Sequence, residues 1–549
     1  MFKKKIDIGK VIVKDAVFKV QRQPNAAFFN IHFLIAFFEG NHDGGPRPKK
    51  FEFHMGGADL VRARIHLSDA AIGTTAIITC DTAYVHSHGE MGVDMIGKKV
   101  WADKAHLAGT KIDVHVYDAL PLASEHPDTL DLIPVDSTIP YWDVGCEKLL
   151  VNDVSFSLRN DRNGIDSSRF LDFNNLNFTN INLDVDTFRL QKEVFTGKVR
   201  QLHGIDHGGF ELKSMQGDAL ISPKQIAVSN FLLETNNSTL GHALKLEYSR
   251  YRDFYDFSNK VKIWATLDST TVVTFRDIAA FGPAIKQNIF IRSNLDRPIA
   301  IQGKFKGKVN NFRARDVDIR ISKHSHLAGN LSMNDISYPD AAFMDLNLKE
   351  VATNNQDLKA MLPFLKLPPN LSTLGQMRFK GSYTGFFQDF VAYGQLDTKL
   401  GRIRSDLQLN IRKGKKAAAY NGGLIFNNFD IGSYLNQEDF GRITINSKVS
   451  GVGLTIETLN AKLENAKIDS FDYKGYQYKD ILIDGMFHQK QFDGDIVSRD
   501  SNMAVFVRGI VDLNESIPRV NIRGTVDNIN FERVNISKDD IALHLDTFD

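Results

Sequence analysis

Strict alternation of apolar and polar residues recurs along most of this chain and constrains its fold more than any other feature. In residues 154–158 a valine, a phenylalanine and a leucine alternate with serines. In residues 407–411 two leucines and an isoleucine alternate with glutamine and asparagine. A period of two is typical of β-strands that have one buried and one hydrated face.

The strand pattern is also repeated. The segment VIVKDAVFKV at 11–20 matches LLVNDVSFSL at 149–158, with Asp15 aligned to Asp153 and Phe18 aligned to Phe156. Turn residues such as Asn421-Gly422-Gly423 and Asp493-Gly494 predict where strands end. Repeated strands of this kind indicate a sheet that is built up unit by unit.

Helical signals are sparse, and they are also repeated. Short helices are predicted near 274–283, 356–366 and 431–437, each close to an Asp that suits a helix N-cap. The predicted fold class is therefore mainly β: an elongated antiparallel β-sheet curled into an apolar groove, with short helical plugs.

A proline cluster near 121–141 and the start of the short helices near 268 divide the chain into four predicted segments. Residues 1–120 form an N-terminal β-groove segment, and 121–141 form a Pro-rich linker. Residues 142–268 form a second β repeat, and 269–549 form β-groove repeats that contain the short helices. A length of 549 residues exceeds the roughly 250–300 residues at which a single core stops growing.

The charge balance argues against nucleic acid as a partner. The chain has 67 Lys and Arg against 66 Asp and Glu, which gives a net charge of +1. A nucleic-acid-binding surface would need a local basic excess. No run of about 18 apolar residues indicates a membrane span, and no segment after Met1 resembles a signal peptide. If the protein works outside the cytoplasm, we expect its targeting segment to lie outside this chain.

Candidate chemical sites are few. Cys80 and Cys146 lack ligand spacing, and they are either two free thiols or a disulfide. His86-Ser87-His88 and His324-Ser325-His326 each put two imidazoles on one face of a strand, and His203 and His207 flank a glycine-rich turn. Two histidines do not complete a metal site. Since no catalytic motif is present, we predict neither enzyme activity nor a cofactor.

The apolar positions of the alternating strands are the candidate functional residues. They share the parity of the apolar face within each strand, which predicts that they line the groove. This groove-lining set is Phe156, Leu158, Phe178, Ile319, Ile321, Leu407, Leu409, Ile443, Ile445, Leu454, Ile456, Ile481 and Ile483.

Residues 375–531 contain short motifs in a distinctive order. They are Phe379-Lys380-Gly381, Tyr393-Gly394-Gln395-Leu396-Asp397-Thr398, Leu400-Gly401, Tyr420-Asn421-Gly422, Phe429-Asp430-Ile431-Gly432, Val449-Ser450-Gly451-Val452-Gly453-Leu454-Thr455 and Tyr476-Gln477-Tyr478. In order and spacing this region resembles the TamB-like translocation and assembly module proteins of Gram-negative bacteria, within the AsmA-like group. The likeness extends to Asn230–Thr235 and covers most of the chain.

The resemblance implies a periplasmic β-groove that carries phospholipids between the inner and outer membranes and supports outer-membrane protein assembly. It also implies an N-terminal inner-membrane anchor and a C-terminal domain that meets an outer-membrane barrel of the Omp85 class. Neither the anchor nor that domain is recognisable in this chain, which we interpret as the N-terminal part of a longer protein.

Two other functions remain open on the sequence alone. A structural, β-rich surface protein or adhesin would have the same alternation but a closed interior filled by side chains. An enzyme would have to use the His-Ser-His pairs as its site.

Overall fold

The structure is a computed structural model. It describes residues 4–24, 26, 28–32, 51–87, 92–94, 99–118, 143–162, 172, 174–281, 288–338, 340–364, 367–455, 457–512, 514, 519–537 and 541–548. Strands make up 67% of the structure and helices 9%. The prediction of a mainly β chain with a long antiparallel sheet and a few short helices is therefore confirmed.

The chain divides into two compact units. Unit 1 comprises residues 1–286, 295–300 and 305–309, and unit 2 comprises 287–294, 301–304 and 310–549. The four segments predicted from the sequence stay a prediction. The proposed linker at 121–141 lies outside the described residues.

Unit 1 contains sixteen complete strands within its described residues. They are β1 (Lys4–Ile8), β2 (Val11–Lys14), β3 (Val17–Arg22), β4 (Phe51–Met55), β5 (Gly57–Asp69), β6 (Thr74–His86), β7 (Gly92–Asp94), β8 (Lys99–Val116), β9 (Asp143–Asn160), β10 (Asn175–Gln191), β11 (Val194–Asp206), β12 (Glu211–Ser222), β13 (Gln225–Thr235), β14 (Thr239–Glu247), β15 (Lys262–Leu267) and β16 (Val272–Val273). The helices of this unit are a 3₁₀-helix (Tyr251–Asp256), α1 (Phe257–Lys260) and α2 (Phe275–Phe281). Residues of β17 (Ile299–Gly307) fall in both units.

Most strands of unit 1 pair antiparallel, but several do not. Strands β9 to β15 form an antiparallel series, in which each strand pairs with the next. By contrast, β2 and β3 both run parallel to β5, and β9 runs parallel to β8. The expectation of antiparallel neighbours is wrong at these positions. Parallel partners need a crossover connection, and residue alternation gives no information about strand direction.

The sequence repeat is also a structural repeat. The two copies occupy β2–β3 and β9, which are the strands that pair parallel with a neighbour. Asp15 and Asp153 have left-handed backbone angles, with φ of 56° and 50°. Phe18 pairs with Ile65, and the aligned Phe156 pairs with Ile112. The aligned residues therefore occupy equivalent places in the sheet.

In unit 2 the described strands form an antiparallel series from β18 to β31, in which each strand pairs with the next. They are β18 (Asn311–Arg320), β19 (His326–Asn334), β20 (Phe343–Asn354), β21 (Gln376–Phe386), β22 (Asp389–Asp397), β23 (Arg402–Asn410), β24 (Ala419–Asp430), β25 (Phe440–Val452), β26 (Asn460–Tyr473), β27 (Tyr476–His488), β28 (Gln491–Asp500), β29 (Met503–Asp512), β30 (Arg519–Asn530) and β31 (Ala542–Phe548). The helices are α3 (Ile289–Ser293), α4 (Asn355–Met361), α5 (Ile431–Leu435) and the 3₁₀-helices Pro369–Leu374 and Lys415–Ala417. The three predicted helices correspond to α2, α4 and α5.

Two of the turn predictions are wrong. Asn421-Gly422-Gly423 lies inside β24, and Asp493-Gly494 lies inside β28. A Cβ added to Gly422 would lie 1.8 Å from the Asp406 carbonyl oxygen, and one added to Gly494 would lie 2.3 Å from the Asp484 carbonyl oxygen. These glycines therefore permit a close approach between neighbouring strands rather than a reversal of the chain.

Candidate functional site

A row of apolar side chains, interrupted by one serine, crosses the sheet of unit 2. Residues that pair directly in neighbouring strands project from the same face of a sheet. From β18 to β31 the pairing register connects Ile319, Leu327, Val351, Phe379, Leu396, Ile403, Phe426, Ile445, Ile468, Ile481, Ser498, Val505, Val526 and Leu545. Only Ser498 is polar in this set, which we call the apolar row. With about 4.8 Å between strands, it runs for roughly 60 Å along the sheet.

The same face continues along each strand at every second residue. In β23, Ser405, Leu407 and Leu409 follow Ile403 at this spacing, and all three are partly buried. Leu409 pairs with Phe390 on one side and with Tyr420 on the other. The apolar face is therefore several residues deep as well as fourteen strands wide.

The opposite face of β23 is polar. In β23 the side chains of Arg402, Arg404, Asp406 and Gln408 are exposed, and they alternate with the partly buried residues. Arg402 Nε donates to Asp397 Oδ1 at 2.6 Å. This face is stabilised by hydration and exposed ion pairs, whereas the apolar face depends on contact with hydrocarbon.

One end of the apolar face is filled by the protein's own side chains. Leu374, Phe429, Ile443 and Ile468 belong to a buried cluster, with Phe429 only 2% exposed. Leu358 of α4 and Ile431 and Tyr434 of α5 pack against this cluster. Tyr478 Oη donates to the Val534 carbonyl oxygen at 2.8 Å, which holds the turn after β30 over the same end. The two helices and this turn therefore cover one end of the apolar face, which we call the sealed end.

Away from that end the face has low polarity but is only partly covered. Burial raises the pKa of Tyr383 to about 12, and its hydroxyl donates to the Phe386 carbonyl oxygen at 2.8 Å. Burial also raises the pKa of Tyr420, whose hydroxyl has no hydrogen-bond partner among the described residues. An unpaired buried hydroxyl costs about 1–3 kcal/mol. Tyr420 is therefore an unsatisfied donor within an otherwise apolar surface.

Unit 1 has a comparable apolar face. The pairing register connects Val13, Leu60, Ala83, Leu107, Val151, Leu183, Leu202, Met215, Leu233 and Leu240 across ten strands. The tightest packing is around Val185 and Val199, which are 0% and 5% exposed. Each unit therefore presents one continuous apolar face.

The structure places the predicted groove-lining residues as follows. Phe178 pairs with Phe156 in unit 1, and Leu158 follows at the next position of the same face; all three are partly buried. In unit 2 Ile319, Ile445 and Ile481 are members of the apolar row. On the same face of that sheet lie Leu407, Leu409, Ile443 and Ile483.

Of the remaining three predicted residues, two are outside regular strands and one is outside the described residues. Ile321 follows the end of β18 and is partly buried. Leu454 lies beyond the end of β25 and is 48% exposed, so the expected strand does not reach it. Gly453, with φ of +85°, turns the chain just before Leu454. Ile456 lies outside the described residues.

Several lining residues were missed in the sequence. Phe379, Leu396 and Phe426 lie in the apolar row, and Tyr420 lies on the same face. Their strands alternate less strictly, because glycine, serine and tyrosine occupy some positions of the apolar face. Parity within β23 identified Leu407 and Leu409, but their partners in other strands could be found only from the pairing register.

The histidine motifs have structural contacts. Ser325 Oγ donates to Asp357 Oδ2 at 2.7 Å, so the turn that contains His324 and Ser325 is bonded to α4, and His326 begins β19. His86 Nε2 lies 2.8 Å from Asp59 Oδ1, and His88 is outside the described residues. Across the described part of the chain, no group of three or more His, Cys, Asp or Glu side chains is arranged to hold a metal ion. Cys80 and Cys146 are buried free thiols.

The described helices are all too short or too polar to cross a lipid bilayer. Comparison of the chain with protein-family models, curated proteins and solved structures gives no match. The apolar faces of the two units are the structural feature that bears most directly on function.

Proposed function

We propose that this chain is a lipid-conducting component of a cell-envelope translocation and assembly module. The apolar face of each unit would carry the acyl chains of phospholipids between the inner and outer membranes. The protein would act without catalysis or a cofactor. The observation that supports this proposal is the apolar face of unit 2, which away from the sealed end is only partly covered at Leu407 and Leu409.

Continuity is what makes such a face suited to transport rather than storage. An acyl chain gains about 0.8 kcal/mol for each CH₂ that leaves water. Since the neighbouring positions of the apolar row are hydrocarbon except at Ser498, a chain that moves from one strand to the next keeps most of this contact. The lipid headgroups would remain in water beside the polar edge of the sheet. A lipid that moves along the apolar face would therefore meet no deep free-energy minimum.

The family resemblance extends the proposal to location and partners. We propose that the protein works in the periplasm as part of an assembly that is anchored in the inner membrane. Its partner at the outer membrane would be a barrel of the Omp85 class, with which it would support the assembly of outer-membrane proteins. The net charge of +1 gives no support for a nucleic-acid partner.

The alternative is a structural β-rich or adhesin-like protein that conducts no lipid. The sealed end of unit 2 favours it, because Phe429 and Ile468 are buried there by other side chains. Leu407 and Leu409 favour conduction, because their side chains are only partly covered. The two functions therefore make opposite predictions at residue 409.

Site-specific photocrosslinking in cells distinguishes them. A photoreactive residue at position 409 should crosslink to phospholipid, and the same residue at Gln408, on the polar face, should not. Leu409→Asp should increase outer-membrane permeability, because a passing acyl chain would meet a hydrated carboxylate.

Gln408→Asp is the matched control for this experiment, since it adds the same charge one residue away on the exposed face. It should leave permeability unchanged. If no lipid crosslinks at position 409, and the folded 408 and 409 variants behave alike, the scaffold function replaces the conducting one.

A further inference from the structure

Positive charge is concentrated at one place along the edge of unit 2 that lies opposite the sealed end. Four neighbouring turns together contain five Lys or Arg residues and two Asp or Glu residues; they are 386–389, 411–418, 452–459 and 488–491. The turns on either side, 335–342 and 512–519, contain four Asp or Glu residues and one Arg. The excess is therefore local and does not reflect the chain's overall charge.

Most of this charge belongs to the turn at 411–418, which we call the basic loop. The side chains of Arg412, Lys413, Lys415 and Lys416 are exposed. Arg412 lies 3.4 Å from Asp389, which partly neutralises it. Lys413 and Lys415 have no ion-pair partner among the residues that the structure describes. These two lysines are therefore available to an external anion.

The basic loop is held in place by the backbone of the next turn. Leu454 N donates to the Lys415 carbonyl oxygen at 3.0 Å, and Gly453 N donates to the Ala418 carbonyl oxygen at 2.8 Å. Ala418 is completely buried. Because the loop is fixed at its C-terminal side, its lysines stay beside the start of β24.

The apolar face begins directly beside this loop. Leu409 and Tyr420 pair across β23 and β24, and Tyr420 follows the loop by two residues. Tyr420 is 9% exposed, and its hydroxyl lies 2.8 Å from the place where a Cβ on Gly451 would be. The ring therefore lies across the neighbouring strand, with an unpartnered hydroxyl on the apolar face.

We infer that the basic loop and Tyr420 form a headgroup site for a diacyl phospholipid. Lys413 and Lys415 bind the phosphate, and the Tyr420 hydroxyl donates to an ester carbonyl oxygen below it. The acyl chains lie on the apolar face past Leu409. This inference rests on the proposed function, and it adds a fixed point at which a lipid is recognised by its phosphate.

A phospholipid fits the site better than free phosphate does. The cations are exposed, but the unpartnered donor is buried in an apolar surface, where an inorganic anion would lose its hydration. A diacyl phospholipid carries both matching groups, an anionic phosphate and an uncharged ester acceptor next to hydrocarbon. The positive charge of the basic loop is complementary to the lipid phosphate. The Tyr420 hydroxyl and the apolar face are complementary to the ester and the acyl chains of the same molecule.

The test compares two lipids that differ only in the phosphate headgroup. Binding of the purified chain to phosphatidylglycerol and to diacylglycerol, both with the same fluorescent acyl chains, is measured in detergent. The double variant Lys413→Gln, Lys415→Gln should bind phosphatidylglycerol roughly tenfold more weakly and diacylglycerol equally well, because only charge-assisted contacts are lost. Tyr420→Phe should weaken binding of both lipids, because both contain the ester.

The matched control is Lys323→Gln, Lys399→Gln, which removes two exposed lysines at the sealed end of the same unit. It should change neither affinity. If both lipids bind the wild type and all variants equally, the headgroup site is wrong while the conducting face stands. If neither lipid binds the wild type, both proposals fail. If inorganic phosphate competes with phosphatidylglycerol as effectively as unlabelled lipid does, the loop is a free-anion site and the lipid inference is overturned.

Discussion

At the scale of single residues, one aspartate in each unit accepts hydrogen bonds that join a short helix to a turn. In unit 1 the Asp277 carboxylate of α2 accepts hydrogen bonds from Thr235 Oγ1 at 2.6 Å and Asn237 Nδ2 at 2.9 Å. In unit 2 the Asp357 carboxylate of α4 accepts from the hydroxyls of Ser322 and Ser325. Each aspartate ties a short helix to a tight turn between strands, so the repeated sequence DxxA around these helices has a structural role.

Replacing Asp357 should therefore destabilise unit 2. Asp357→Ala removes the acceptor for two hydroxyls, and we expect the free energy of unfolding to fall by roughly 1–3 kcal/mol. Urea denaturation followed by circular dichroism measures the loss. Lys359→Ala on the same helix removes an exposed side chain and should change the unfolding free energy by less than about 0.5 kcal/mol. Equal effects of the two changes would contradict this role of Asp357.

At the scale of elements, the pairing of strands depends on small residues at crowded positions. Gly422 and Gly423 are adjacent in β24 but differ in their surroundings. Gly422 has φ of +151°, and a Cβ there would lie 1.8 Å from the Asp406 carbonyl oxygen of β23. A Cβ on Gly423 would meet nothing within 4 Å. The two glycines are therefore a matched pair for testing the register between β23 and β24.

We expect Gly422→Ala to destabilise unit 2 by roughly 1–3 kcal/mol, because the added methyl group forces the strands apart. Gly423→Ala should be neutral or stabilising by up to about 1 kcal/mol, since alanine restricts the unfolded chain more than glycine does. Thermal unfolding of the two variants beside the wild type measures both effects. A stable Gly422→Ala protein would show that the register between these strands differs from the one described.

Elements were predictable from the sequence to the extent that a local pattern determines them. Alternation at 407–411 identifies β23 and its apolar face, and the aspartates locate α4 and α5. The parallel pairing of β8 with β9 was not predictable, because alternation is the same in either direction. Gly422 was misread as a turn, since the close approach that requires it depends on Asp406 in another strand. The sealing of the face by Val534 was missed because it joins residues 56 positions apart.

At the scale of the whole molecule, carboxylates are paired with exposed arginines in both units. Arg62 Nε donates to Asp15 at 2.6 Å, and Arg189 lies 2.8 Å from Asp143. In unit 2 Arg508 forms an ion pair with Asp495. In each case the hydrogen bond from the arginine lowers the pKa of the carboxyl group below its ordinary value of 3.8. Stability across the molecule is therefore linked to the ionisation of these groups.

The sign of this linkage predicts a loss of stability in acid. A carboxyl group whose pKa is lower in the folded state contributes its full stabilisation above the ordinary pKa and loses it as the pH falls through the folded pKa. The melting temperature should therefore stay nearly constant from pH 7 to about pH 5 and decrease below about pH 4. Differential scanning calorimetry at low ionic strength measures this profile. Added salt should flatten the acid limb, because the ion pairs are exposed and are screened. A main decrease between pH 7 and pH 5 would instead assign the linkage to histidines, whose ordinary pKa lies in that interval, and would contradict a dominant role for the carboxylate–arginine pairs.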